Sequence, residues 1–194
     1  MWIGTTTDGA YRLQLDKNEL THPILKGNIT SIYQDSEGEL WIGSWEEGLH
    51  HVKTDGTIEI FEYDAKNPYS ISSNFVRACC EDNLGNIWIG TFNGLNRYDK
   101  STGLFQNHTA SDAQSDGLTH SSIWCIVKDN QGTLWLGTYF GGVNYFNPEY
   151  EIYSRYMYSP IEKKGLSNPV VGRTIEDKDG NLWIGTEGGG LNYY

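Results

Sequence analysis

The stretch Ile87-Trp88-Ile89-Gly90-Thr91 decides the fold, because the chain writes it five times. Its counterparts are Met1-Trp2-Ile3-Gly4-Thr5, Leu40-Trp41-Ile42-Gly43-Ser44, Leu134-Trp135-Leu136-Gly137-Thr138 and Leu182-Trp183-Ile184-Gly185-Thr186. The tryptophans are spaced by 39, 47, 47 and 48 residues, and five of the seven in the chain occupy this slot. Self-similarity at such a period is the mark of one supersecondary unit copied in tandem. A residue type held in one slot through every copy is expected to pack between units.

Working outward, four copies share a preamble. An apolar residue opens it (Ile29, Val76, Ile123, Val171), and six places on stands Asp35, Asp82, Asp129 or Asp177. Three further on comes Gly38, Gly85, Gly132 or Gly180. Asp-x-x-Gly between two β-prone runs predicts a tight hairpin turn, with Asp bonding the backbone ahead and Gly taking positive φ. After the Trp-Ile-Gly string a short loop leads to Gly48-Leu49, Gly94-Leu95, Gly142-Val143 or Gly190-Leu191 and a third strand. A turn such as Lys100-Ser101-Thr102-Gly103 and the run Leu104-Phe105-Gln106-Asn107-His108 complete a unit of four antiparallel strands, A to D. Radial stacking of such units makes an all-β fold, a β-propeller of four-stranded blades. No 3.6-residue apolar period survives across a repeat, which excludes a helical solenoid.

The repeats divide the chain into one propeller segment, 1–194. A partial blade (1–27) comes first, then blades 28–73, 74–120 and 121–166, then a partial blade (167–194). Residues 17–22 could close a small ring by supplying a last strand D. A fragment of about four blades from a larger propeller is the expected arrangement.

Composition narrows the function. With 14 Lys and Arg against 25 Asp and Glu the formal charge is −11. Nucleic acids and anionic membrane surfaces select for basic patches, so neither is an expected partner. No run of 18 apolar residues occurs, and the N-terminus lacks the basic start and apolar core of a signal peptide. Cys79, Cys80 and Cys125 are too few for a disulfide framework or a zinc site and are expected to be small buried hydrophobes.

The pattern Asn74-Phe75-Val76, then Glu81-Asp82-Asn83-Leu84-Gly85-Asn86-Ile87-Trp88-Ile89-Gly90-Thr91, then Gly94-Leu95-Asn96-Arg97-Tyr98-Asp99 resembles the two-component regulator propeller repeat. The resemblance covers nearly the whole chain. It implies a place in the periplasmic sensor of a hybrid two-component system, where two seven-bladed propellers precede an immunoglobulin-like domain, a membrane helix and a histidine kinase. Such sensors respond to oligosaccharides. The kinase activity does not carry over to these 194 residues.

Ligand-binding residues are sought where the copies differ. The A–B and C–D loops are regular turns, whereas the B–C loops vary: Thr6-Thr7-Asp8, Trp45-Glu46-Glu47, Phe92-Asn93, Tyr139-Phe140-Gly141 and Glu187-Gly188-Gly189. Variation over a constant frame is where function concentrates. Trp45, Phe92 and Tyr139 put an aromatic at the same place, suited to stacking on sugar C–H faces. The second position of strand A, close to the central channel, also varies: Thr30, Arg77, Trp124, Gly172. The expected ligand-binding set is Trp45, Arg77, Phe92, Trp124 and Tyr139, with Arg173 in the last repeat.

No catalytic, metal or cofactor site is expected. Asp177-Lys178-Asp179-Gly180 starts like an EF-hand, but the bidentate Glu would fall on Gly188. His22, His50, His51, His108 and His120 lack metal spacing. Asp116, His120 and Ser121 are close in sequence without a supporting oxyanion hole, and Glu46-Glu47 reads as a solvated loop. The leading expectation is a non-catalytic oligosaccharide sensor. The alternative is a structural propeller that pairs with other blades or a second copy, and a propeller lyase or hydrolase is a distant third.

Overall fold

The computed structural model describes residues 1–21, 23–110, 117–148, 152–159 and 165–194. His22 and Asp116 lie outside the described residues. The described strands form five antiparallel sheets, each a simple meander. The first contains β1 (Trp2–Gly4), β2 (Ala10–Gln14) and β3 (Glu19–Leu20). The second contains β4 (Ile29–Gln34), β5 (Leu40–Ser44), β6 (Leu49–Val52) and β7 (Ile58–Phe61). The third contains β8 (Val76–Glu81), β9 (Ile87–Thr91), β10 (Gly94–Asp99) and β11 (Leu104–His108). The fourth contains β12 (Ile123–Lys128), β13 (Leu134–Thr138), β14 (Val143–Asn147) and β15 (Ile152–Tyr156). The last contains β16 (Val171–Glu176), β17 (Leu182–Thr186) and β18 (Gly190–Tyr193). Residues 17–21 do not reach β18: Leu20 pairs with Leu13 and Glu19 with Gln14, so β3 completes its own sheet.

The A–B turns form as their residues require. Gly38, Gly85, Gly132 and Gly180 hold φ of 84°, 83°, 86° and 85°, open to Gly without the steric cost a Cβ carries. Each Asp receives backbone N–H groups on one oxygen; Asp82 Oδ1 accepts from Leu84 at 2.8 Å and Asn86 at 2.9 Å. The other oxygen does what the turn alone does not require. Asp35, Asp82, Asp129 and Asp177 accept the indole N–H of Trp41, Trp88, Trp135 and Trp183 at 2.8–2.9 Å. The six-residue interval from Asp to Trp therefore satisfies a donor that the inter-blade core would otherwise strand.

The first strands of neighbouring sheets, β4, β8, β12 and β16, lie side by side, and the core fills the gaps between sheets. Trp41 joins Val76, Cys79, Ile87 and Phe105 of the next sheet. Trp88 likewise joins Ile123, Ile126 and Phe146. The Gly of Trp-Ile-Gly lets the sheets close up. A Cβ at Gly4, Gly43, Gly90 or Gly137 would stand 2.7 Å from a methyl of Ile29, Val76, Ile123 or Val171. The three cysteines are free and buried in these layers. Burial pushes the Cys79 thiol up to about 12 and Cys80 to about 11.

The last sheet packs against the fourth on one face only, and among the described residues its other face is uncovered. Leu49, Leu95 and Val143 are 0% exposed, whereas their counterpart Leu191 is 65% exposed and Ile175 beside it 63%.

Candidate functional site

The four inner strands share one irregularity. Pairing slips between Ile29 and Ser31, Val76 and Ala78, Ile123 and Cys125, and Val171 and Arg173. Thr30, Arg77, Trp124 and Gly172 are thus the extra residues of β-bulges, which re-aim a side chain out of the pleat. Beside each bulge, the first residue of the B–C loop is clamped to the backbone just before strand A. The amides of Trp45, Phe92, Tyr139 and Glu187 donate at 3.0 Å to the carbonyls of Asn28, Phe75, Ser122 and Val170. The variable position of strand A and the aromatic position of the B–C loop are thereby brought together in each blade.

Side chains from three blades then meet. The Arg77 guanidinium carbon lies 4.0 Å from the Trp124 ring centroid, 4.8 Å from Trp45 and 6.0 Å from Phe92. Trp124 and Tyr139 stack at 5.5 Å with 10° between their planes. Five of the six expected residues therefore form one group. Trp45 is 37% exposed and Phe92 54%, so the group opens to solvent.

Three neighbours extend it that sequence reasoning passed over. Phe75 bridges Trp45 and Phe92, at 5.5 and 6.1 Å. His120 and Phe140 flank Tyr139, at 6.4 and 4.3 Å. The signal for Phe75 was its place directly before Val76, where the other copies carry Asn28, Ser122 and Val170. Arg173 stands apart. It pairs opposite Gly185, in the place held by Ser31, Ala78 and Cys125, and so points along the flank of its blade.

Electrostatics single out Arg77. Burial pulls it below its ordinary value, Tyr139 opposes this, and the like charge of Arg173 adds to the depression. Its Nε and the Trp124 indole nitrogen are buried without a hydrogen-bond partner.

The remaining clusters resolve as structure. Carboxylates of Asp35, Glu37 and Glu39 converge closely enough to hold a metal ion, but Lys100 Nζ already bonds Asp35 at 3.1 Å and Glu37 at 3.0 Å. Asp177 accepts from Trp183, Asn181 and Asp179, and these bonds pull it down to about 2. Ser121 Oγ accepts from the Ala110 amide and His120 Nδ1 from the Ser122 amide. Neither bond joins the two as a nucleophile and its base.

Sheet order, bulges and inter-sheet packing define a β-propeller built of four-stranded blades. Residues 23–46, 70–93, 117–140 and 165–188 each match the two-component regulator propeller model, and the chain belongs to that family. Its fold is similar to an extracellular domain assigned to a hybrid two-component system of B. thetaiotaomicron, at TM-score 0.79 and 26% identity, covering 99% of this chain and 24% of that one. A second such domain from the same organism matches at TM-score 0.77 and 22% identity, covering 99% and 25%. The chain thus spans about a quarter of the length of these domains, as a portion of a larger propeller does. Virginiamycin B lyase from Staphylococcus aureus shares the fold at TM-score 0.70 and 14% identity, covering 100% and 65%. No curated protein matches the chain.

Proposed function

We propose that this chain is part of the periplasmic ligand-sensing propeller of a hybrid two-component system, that it binds an oligosaccharide on its B–C loop face, and that it relays binding to a kinase outside these 194 residues. We take the chain as one propeller unit, with blades at 28–73, 74–120 and 121–166 between partial blades 1–27 and 167–194. The observation that carries the reading is the solvent-open group of Trp45, Arg77, Phe92, Trp124 and Tyr139, contributed by three blades at the positions where the repeats differ. Flat aromatic faces with a few polar groups suit a sugar ring, whose C–H face stacks while its hydroxyls find donors. The likeness to extracellular domains of such systems supports the same reading and the location.

Binding needs only to favour one arrangement of the whole receptor over another for a signal to follow. A site shared by three blades is suited to this, because a ligand spanning them is sensitive to their relative placement. Isothermal titration calorimetry against an oligosaccharide panel tests the proposal. Binding is expected in the wild-type chain and lost in Trp124→Ala and Tyr139→Ala with the fold unchanged by circular dichroism. Equal affinity in all three proteins would overturn it.

One observation favours a second reading, association through blade faces. Leu191 and Ile175 at one end, and Met1 (60%) at the other, are exposed where their internal counterparts are covered. Such faces favour head-to-tail contacts. Sedimentation of the 194-residue chain, with and without sugar, separates the two: sugar-independent association abolished by Leu191→Glu supports the second reading.

A further inference from the structure

We propose that the oligosaccharide recognised at this face is acidic, carrying a carboxylate or sulfate ester that Arg77 receives; this rests on the sensing reading given above. The starting point is an imbalance. Carboxylates outnumber Lys and Arg by 25 to 14 in this chain, and Lys53 and Lys100 both hold carboxylate partners. Arg77 sits at the centre of the aromatic group and, among the described residues, has neither an ion-pair partner nor a hydrogen bond. The charge acting on it is that of Arg173, which has its own sign.

The way Arg77 is held shows which of its surfaces is left for a ligand. Trp124 and Trp45 approach the guanidinium within cation–π distance, which engages its charge without supplying an acceptor for its N–H groups. Those N–H groups point outward in the guanidinium plane, the direction from which a carboxylate or sulfate docks through two parallel bonds. Its Nε is buried and unbonded, whereas the terminal nitrogens lie within reach of solvent. A donor buried without an acceptor is costly unless something else retains it. A neutral sugar offers only hydroxyl acceptors, which leave a dehydrated cation uncompensated; an anionic ring supplies the missing charge.

Packing alone would have been served as well by an apolar residue at this bulge, as Trp124 serves in the next blade. The Arg therefore has to be explained by its charge. Binding to the ring face of the same sugar falls to the exposed Trp45 and Phe92, beside the guanidinium.

The test uses the 194-residue chain and three probes in calorimetric titration: trigalacturonate, its fully methyl-esterified form, and a sulfated disaccharide. One of the two anionic probes is expected to bind at least about tenfold more tightly than the ester, and which one does so identifies the anionic group. That preference is expected to shrink as salt is raised, through screening. Arg77→Gln should bring the anionic probe to parity with the ester without moving the melting temperature, and Arg77→Lys should keep part of the preference through charge alone. Equal affinity for acid and ester forms, both lost in Trp124→Ala, overturns the anionic inference and leaves the sugar-sensing reading standing. Binding of none of the three overturns the inference, and failure across a wider neutral panel as well overturns both.

Discussion

Replacing Gly90 by alanine probes the contact on which the stacking of blades depends. A Cβ there would stand 2.7 Å from Ile123 Cγ2, 3.1 Å from Ile123 Cβ and 3.4 Å from Ile126 Cδ1. Carbon atoms in proteins rest about 3.5–4.0 Å apart, so the new methyl overlaps its neighbour by close to an ångström. Ile123 is fully buried, and its β-branched side chain is stiff about χ1, so it has nowhere to turn. The sheets have to separate locally. Overpacking of this kind costs about 1–3 kcal/mol, while Ala regains roughly 0.5–1 kcal/mol over Gly in a strand. The net is a loss of up to about 2.5 kcal/mol, a fall in Tm of up to roughly 10 °C for a chain of this size. Gly185 is the internal control. It occupies the same slot, yet the nearest atom to its added Cβ is the Arg173 carbonyl oxygen at 3.5 Å. Gly185→Ala is therefore expected to leave Tm unchanged or slightly raised. Thermal melts followed by circular dichroism decide the matter: if both variants lower Tm equally, the glycines are not retained for inter-blade clearance.

Acid should destabilise the fold in a defined window. Asp177 is pulled down to about 2, first by the Trp183 indole and then by Asn181. Asp35 is also lowered, the bonds from Trp41 and Lys100 outweighing the burial that would raise it. A carboxylate lowered on folding stabilises the native state above its unfolded pKa, and that contribution disappears as pH falls through the folded one. Melting temperature should begin to fall below about pH 6.5, where burial holds the His50 imidazole below its ordinary value, and decline further between about pH 4 and 2; a rise over that lower interval would contradict the assignment. Asp82→Ala strands the Trp88 indole N–H in the core, for an expected loss of about 1–3 kcal/mol, read from the urea midpoint. The three thiols should resist a thiol reagent at pH 8 in the native protein and all react in denaturant, since burial raises Cys79, Cys80 and Cys125; fast native labelling would contradict their burial.

Much of this protein is legible in its linear order. The period, the four strands of each blade, the Asp-x-x-Gly turns and the inter-blade tryptophans follow from residue type and spacing, because each depends on local geometry repeated with the sequence. The Asp-to-Trp hydrogen bond was also present as a constant interval of six, although the turn alone accounted for the Asp and hid its second partner. What the repeats by themselves could not decide was how their differences combine. Arg77 and Trp124 meet because a bulge inserts one extra residue into each inner strand, and a bulge exists only in the register between two strands. Arg173, one place further along, is carried by the same register onto the blade flank. Phe75 joins the group from a segment whose direction is set by the bond from the Phe92 amide to its carbonyl, and His120 and Phe140 join it beside Tyr139. Trp45 and Trp124 are 79 residues apart in sequence, and radial stacking brings them from the two flanking blades to the single guanidinium of Arg77, with Tyr139 stacked on Trp124.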